Sequence, residues 1–268
     1  MAKELTFGFS PCPNDTYMFN AIAHGAVGVD GYRLKPVLHD VETLNGMAMD
    51  AVLDVTKLSF YAWLEVKDRY QMLDSGAAMG FGCGPVLIAR NQLAQAEIHR
   101  CRVVLPGRWT TAHLLLRLWA PEADQRFFTT YDRIFDVLAS GQADCGVIIH
   151  EGRFTFEAAG FTPVVDLGAW WEAMTGLPVP LGGIAARRSL GNALIRQIDM
   201  AVNASIRRAM ADPRATLPFI REHAQEMEDT VLRAHIRTFV NDFSLSQTDV
   251  GRRAIEKLES MARDAGVL

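Results

Sequence analysis

His150 stands where an apolar run turns into a polar one. In the stretch Gly141 to Thr155, GQADCGVIIHEGRFT, residues Cys145 to Ile149 have the β-branched density and length of a buried parallel strand, and His150, Glu151 and Arg153 begin where that strand must end. In open α/β sheets ligands sit beyond the carboxyl ends of strands, so this is the expected address for a reactive group. A histidine near its ordinary pKa can accept a proton at neutral pH if its other nitrogen is held by a partner. The same residue could also do no more than hydrogen-bond at a strand end. Glu151 and Arg153 read as supports for the loop.

Other polar groups fall at comparable places. Lys57 and Ser59, and the pair Thr110 and Thr111, stand at predicted strand-to-helix junctions, where hydroxyls and N–H groups can grip a carboxylate or a diol. Asn14 and Thr16 follow the first strand in the same manner, and for all of these simple helix capping is the competing role. His113 is a rival base one helical turn further on. Trp170 and Trp171 could stack on a planar ligand or anchor their loop by apolar contacts. A zinc helix of HExxH type would need a histidine where Phe154 stands, there is no G-x-S-x-G elbow, and SGAAMGFGCG (Ser75 to Gly84) does not match G-x-G-x-x-G. Metal, serine-hydrolase and dinucleotide chemistry are therefore not expected, and proton transfer is.

The elements that must position these residues are those of a parallel α/β sheet. Leu5, Phe7 and Phe9 alternate as in a strand, SPCPNDT follows with Asn14 as the expected N-cap, and Met18, Ala21 and Ile22 form the stripe of a helix closed by Gly25. Strands are expected at Tyr32 to Leu38 and Ala51 to Val55, a departing strand at Pro85 to Arg90, and a second αβ series from Cys101 to Val165. A turn-rich segment, Leu167 to Gly183, then leads into a returning strand at Gly183 to Arg187. Helices are expected over Leu190 to Ala211, from Asp212-Pro213 onward, over Asp229 to Val240 and over Gln247 to Asp264, with few candidate site residues. The predicted organisation is a first α/β lobe of residues 1–90 and 187–268, with residues 91–186 inserted as a second lobe and a ligand cleft between them.

Composition narrows the partners. The chain has 268 residues, 49% hydrophobic and 22% charged, with a net charge of −4 and a pI near 6.0, which offers no basic face for nucleic acid and no polybasic membrane patch. No apolar run is long enough to span a membrane, and MAKELTFGFS does not read as a signal peptide, so a cytoplasmic protein acting on a small molecule is expected. Cys12, Cys83, Cys101 and Cys145 form no CxxC pair and read as reduced thiols without disulfide or zinc. Composition sets no oligomeric state.

Six motifs carry a more specific resemblance. SPCPNDT (Ser10 to Thr16), DVETLN (Asp40 to Asn45), TKLS (Thr56 to Ser59), PGRWTTA (Pro106 to Ala112), IIHEGRFTF (Ile148 to Phe156) and DLGAWWEAMTGLPVPLGG (Asp166 to Gly183) occur in order, with VNDFS at Val240 to Ser244. Together they resemble the 1,4-dihydroxy-6-naphthoate synthases of the futalosine route to menaquinone, over essentially the whole chain. The resemblance implies a fold like the type II periplasmic binding proteins. It also implies a lyase that cleaves cyclic dehypoxanthine futalosine to 1,4-dihydroxy-6-naphthoate and dihydroxyacetone with no metal or organic cofactor. It assigns His150 as proton acceptor, and Lys57, Leu58 and Ser59, with Thr110 and Thr111, as substrate-binding groups. Phe156 departs from the family's common tyrosine, which removes any hydrogen bond from that position. Chorismate dehydratase of the same pathway and a non-catalytic solute-binding protein are the alternatives the same architecture allows.

Overall fold

Alternation in the first strand sets the architecture: Leu5, Phe7 and Phe9 are buried on one face, and Phe7 and Phe9 pack edge-on against Phe19 of the following helix with ring centroids 5.3 and 5.4 Å away. The computed structural model describes residues 2–224 and 228–268. Its strands are β1 (Lys3–Phe9), β2 (Tyr32–Leu38), β3 (Val55–Ser59), β4 (Tyr70–Met72), β5 (Ala78–Gly80), β6 (Val86–Ala89), β7 (Val103–Leu105), β8 (Arg126–Phe128), β9 (Cys145–Ile148), β10 (Thr162–Asp166) and β11 (Val179–Arg187).

They form two mixed sheets. The first runs β2-β1-β3-β11-β4, with β5 also on β11, and the second runs β10-β6-β9-β7-β8. In the first, β1 is parallel to both β2 and β3, and β11 is antiparallel to β3. In the second, β9 is parallel to β7 and antiparallel to β6. The C-terminal ends of β1, β3, β7 and β9 each lead into a turn or helix, so polar groups collect where ligands of α/β sheets are bound.

Several expectations shift at this level. The third strand begins at Val55, after a tight turn with Ala51 at φ +52°, so Thr56 to Ser59 lie within β3 and not at a junction beyond it. The turn-rich segment after Asp166 contains a helix, Leu167–Thr175, because Asp166 caps it by accepting from the Gly168 and Ala169 amides and Gly176 ends it in the left-handed region at φ +67°. β11 likewise starts at Val179, four residues before the expected strand. Cys12, not Asn14, is the N-cap of Pro13–Ala23, since Pro13 has the φ of a first helical residue and needs no amide partner there. The expected lobe boundaries at 90 and 186 fall beyond elements that have already changed sheet: β6 pairs in the second and β11 in the first.

The chain crosses between the sheets through segments 81–85 and 167–178. Gly84 and Gly168 make this crossing close, because a Cβ on Gly84 would lie 2.2 Å from the Gly168 Cα and one on Gly168 would lie 2.6 Å from the Gly84 Cα. Backbone meets backbone there, so no side chain can swing aside. Gly84→Ala is expected to lower unfolding stability by ~1–3 kcal/mol in a denaturant titration, the usual cost of overpacking. A variant as stable as the parent would show that the crossing segments yield freely.

Candidate active site

Strand β3 presents its residues alternately to two environments. Leu58 is fully buried among Ala48, Ala62, Val66, Tyr70 and Ala185, whereas Lys57 and Ser59 point the other way and line a cleft between the sheets. The side chain of Leu58 therefore does not reach the cleft, and of the expected TKLS contacts only those of Lys57 and Ser59 do. The cleft, open to solvent at its mouth, draws Ser10, Asn14, Asp15, Lys57 and Ser59 from the first sheet and Thr110, Thr111, Ile149 and His150 from the second. A concave site lined by polar strand ends from both sheets is where a small-molecule ligand is expected.

The wall on the first sheet is built on one buried ion pair. Lys57 Nζ lies 2.7 Å from Asp15 Oδ1, with side-chain exposures of 8% and 1%. Asp15 also accepts from the Ser10 amide at 3.1 Å, the Ser10 hydroxyl at 2.8 Å and Asn14 Nδ2 at 3.0 Å. Such saturation is what makes a dry carboxylate tolerable, since desolvation otherwise exceeds the Coulombic gain. Ser59 is held in turn by Asn45, whose carbonyl accepts the Ser59 amide at 2.9 Å and whose Nδ2 donates to the Ser59 hydroxyl at 3.1 Å. Thr16 does not join them. Its hydroxyl donates back to Cys12 and Pro13 carbonyls at 3.1 and 3.3 Å inside the helix, and it is wholly buried.

On the second sheet, Thr110 caps helix Thr111–Trp119, accepting the His113 amide at 3.3 Å and donating to the Gly107 carbonyl at 3.0 Å. Thr111 donates to the Leu181 carbonyl at 2.7 Å. Both hydroxyls are thus committed to structure, and what this end offers a ligand is the set of amides that every helix N-terminus leaves unpaired. Glu42, from the helix Val41–Met49 of the first sheet, reaches across and accepts the Arg108 and Trp109 amides at 2.6 and 3.1 Å. Burial raises its carboxyl pKa, and the donors from Asn45, Trp109 and Arg108 oppose that rise.

His150 follows β9 with a left-handed backbone, φ +55°, a conformation that costs energy for a non-glycine residue and persists only where the surroundings impose it. Its Nε2 is buried with no hydrogen-bond partner among the described residues. Burial pushes its pKa down to about 4; the Asp15 charge pulls upward and the Lys57 charge adds to the lowering. The ring is therefore neutral at physiological pH, half-buried at the edge of the cleft with its Nε2 shielded from water. His113, the rival base, lies outside this cleft. Its Nδ1 is 2.7 Å from the Arg108 carbonyl, and it faces a separate depression with Tyr61, Arg117 and Arg126. Trp171 is buried with Nε1 donating to the Pro178 carbonyl at 3.0 Å, and neither it nor Trp170 lines the cleft, so both serve as anchors. Phe156 packs in the outer core of the second sheet with Ile148 and Phe161. Arg153 donates to the Gly84 carbonyl at 2.7 Å and to Asp166 at 2.6 Å, which ties the His150 turn to the crossing segments.

Sequence reasoning missed Asp15, Glu42, Asn45 and His235. Asp15, Glu42 and Asn45 all lie within the quoted motifs SPCPNDT and DVETLN and were recoverable as polar residues there. His235 was not, because nothing in an amphipathic helix 221 residues from its partner Asn14 announces a contact with the site. Among the described residues no group of three or more His, Cys, Asp or Glu is placed to hold a metal ion, and no helix is long and apolar enough to cross a membrane.

Two sheets facing each other across a cleft, with polar strand ends on both walls, define a periplasmic-binding-protein-like molecule with a half-buried imidazole in its cleft. Comparison bears out that class: an alkanesulfonate-binding protein from Xanthomonas axonopodis superposes with a TM-score of 0.70 at 12% identity, covering 100% of this chain and 96% of the other. A protein from Archaeoglobus fulgidus superposes with a TM-score of 0.93 at 31% identity, covering 99% and 98%. The menaquinone biosynthesis family model matches residues 5–264, and the chain belongs to that family. It is 49% identical to 1,4-dihydroxy-6-naphthoate synthase of Thermus thermophilus over 99% of this chain and 96% of the relative. The corresponding figures for the synthase of Streptomyces coelicolor are 39%, 100% and 95%. The protein is therefore an enzyme of menaquinone biosynthesis, in agreement with the motif resemblance.

Two measurements probe the site's electrostatics. Asp15→Ala, which strands a buried ammonium, is expected to cost ~3–5 kcal/mol in unfolding stability. A loss below ~1 kcal/mol would mean the pair is solvent-screened. His150 and His113 both have folded pKa values near 4 against an ordinary 6.5, so the unfolded chain binds their protons first. Their stabilising contribution is complete above pH 6.5 and declines as pH falls from 6.5 toward 4. Denaturation midpoints measured over that interval should fall steadily with acidity, and a flat profile would contradict the lowered pKa of both rings.

Proposed function

We propose that the enzyme is a carbon-carbon lyase that converts cyclic dehypoxanthine futalosine to 1,4-dihydroxy-6-naphthoate and dihydroxyacetone, with His150 as general base and without metal or organic cofactor. The observation that supports this most is the buried, unpartnered Nε2 of a neutral His150 in a cleft walled by both sheets. The names of relatives at 49% and 39% identity over nearly the full chain support the substrate assignment.

In this reading His150 takes the proton of a hydroxyl on the sugar-derived ring. The oxygen's electron pair forms a carbonyl as the adjacent carbon-carbon bond breaks in a retro-aldol step, and the electron pair of the broken bond passes into the ring system. Elimination then leaves the aromatic naphthalene ring while the proton held on His150 is returned to the departing dihydroxyacetone, so no proton is gained or lost overall. Aromatisation drives the reaction, so the protein has only to orient the substrate, accept one proton and keep water out. Lys57 and the amides at the start of helix Thr111–Trp119 are suited to the substrate's carboxylate, the first by charge and the second by unpaired donors. Ser59 and Asn14 complete the wall. The two lobes, divided at segments 81–85 and 167–178, close over the ligand, with Glu42 bridging them.

A burial-lowered pKa trades basicity for availability: the neutral base is always present, and its weakness is offset by a fixed, dry geometry. His150→Ala is expected to lose at least ~100-fold in turnover, measured as dihydroxyacetone released from cyclic dehypoxanthine futalosine. Near-normal turnover with binding intact would remove His150 from the role. Loss of water from chorismate by the parent protein, with no dihydroxyacetone release, would instead assign the dehydratase reaction.

A further inference from the structure

The buried groups not used above converge on His235. It is fully buried on helix Asp229–Phe239, a polar ring on the apolar face of an amphipathic helix, where an unsatisfied donor would be costly. Its Nε2 lies 3.0 Å from Asn14 Oδ1. Because the Asn14 amide nitrogen is already given to Asp15, the oxygen is the group facing His235, and the imidazole proton must sit on Nε2. Its Nδ1 faces Glu151, with 3.7 Å between Nδ1 and Oε2. Its ring lies nearly parallel to that of His150, with centroids 6.0 Å apart and planes 10° apart. On another side of His150, Tyr131 meets the ring edge-on at 5.0 Å. Phe239 and Phe154 flank His235 with centroids at 4.7 and 6.5 Å.

We infer that His235 is a positioning residue for His150: clamped through Asn14 and Asp15 to the Lys57 ion pair, its ring and the Tyr131 ring fix the plane of the base while its Nε2 stays shielded from water. This rests on His150 being the base. A purely apolar side chain could fill the same volume. A histidine also ties that volume to the polar wall of the first sheet, so the base on one lobe is registered against the charges of the other. Asp15, Lys57, Asp40, Tyr131 and Glu151 are the titratable groups that surround the two rings. Helix Asp229–Phe239 is thereby part of the catalytic apparatus, and the VNDFS motif at Val240 to Ser244 follows it directly.

The test uses the whole protein and two variants. His235→Gln keeps a donor for Asn14 and loses the ring, whereas His235→Phe keeps the ring and loses the donor. For His235→Gln the expected result is a ~10-fold or larger fall in kcat with KM within about twofold of the parent, as misplacement of a base requires. Imidazole NMR of the same variant should show the His150 pKa rising from about 4 toward its ordinary 6.5. His235→Phe should keep more of kcat. Unchanged kcat and an unchanged His150 titration in both variants would overturn the inference, as would a loss confined to KM. Should both variants fail to fold, the parent decides: selectively labelled imidazole spectra must show His235 neutral and protonated on Nε2, with cross-relaxation to His150, and the other tautomer overturns the clamp. The His150 titration reads this contact without any turnover, so a failure of the base assignment, seen in His150→Ala, is distinguishable from a failure of His235.

Discussion

The Lys57–Asp15 ion pair is the constraint on which the rest of the site depends. Two opposite charges taken out of water are held only if every remaining lone pair is satisfied, and here that demand fixes Ser10, Asn14 and the entry of the first helix around one carboxylate. Asn14 then has a single free end, which His235 occupies. The polar wall of the first sheet is thus one network reaching from the end of β1 to helix Asp229–Phe239. Its charges also set the field at His150, where Asp15 and Lys57 act in opposite directions on a pKa already lowered by burial.

The second sheet contributes the opposite qualities. Its cleft face offers a helix start, a strained backbone and a neutral imidazole, all without net charge. A strained φ at His150 is maintained because Arg153 binds the following turn to Gly84 and Asp166, and because the rings of Tyr131 and His235 leave the imidazole little freedom. A fold shared with solute-binding proteins therefore needs few additions to carry the proposed reaction: a neutral imidazole on one wall and fixed charges on the other. The binding of a ligand and the exclusion of water are already properties of the architecture.

Much of this was legible in the sequence. Hydrophobic alternation located β1 and a continuous β-branched run located β9, and the location of polar residues after apolar runs pointed to Asn14, Lys57, Ser59, Thr110, Thr111 and His150, all of which line one cleft. The errors have physical causes. Thr16 was grouped with Asn14 by proximity, but helical geometry turns it inward to a carbonyl. Leu58 sits between two cleft residues, and the period of a strand sends its side chain to the core. The helix at Leu167–Thr175 was hidden by glycines at both ends of a tryptophan-rich segment, where the cap from Asp166 outweighs weak propensity. His235 and the bridge from Glu42 were beyond reach, since both are contacts made only by long-range packing.

The pH dependence of kcat/KM in the parent protein tests the central claim most directly, because it reports the ionisation of the free enzyme's essential base. With His150 as that base, activity on cyclic dehypoxanthine futalosine should stay level from neutral pH down past 6.5 and fall only on an acid limb near 4, within the range where the protein remains folded. An acid limb at or above 6.5 would assign proton removal to an ordinary, solvent-exposed group and contradict the account.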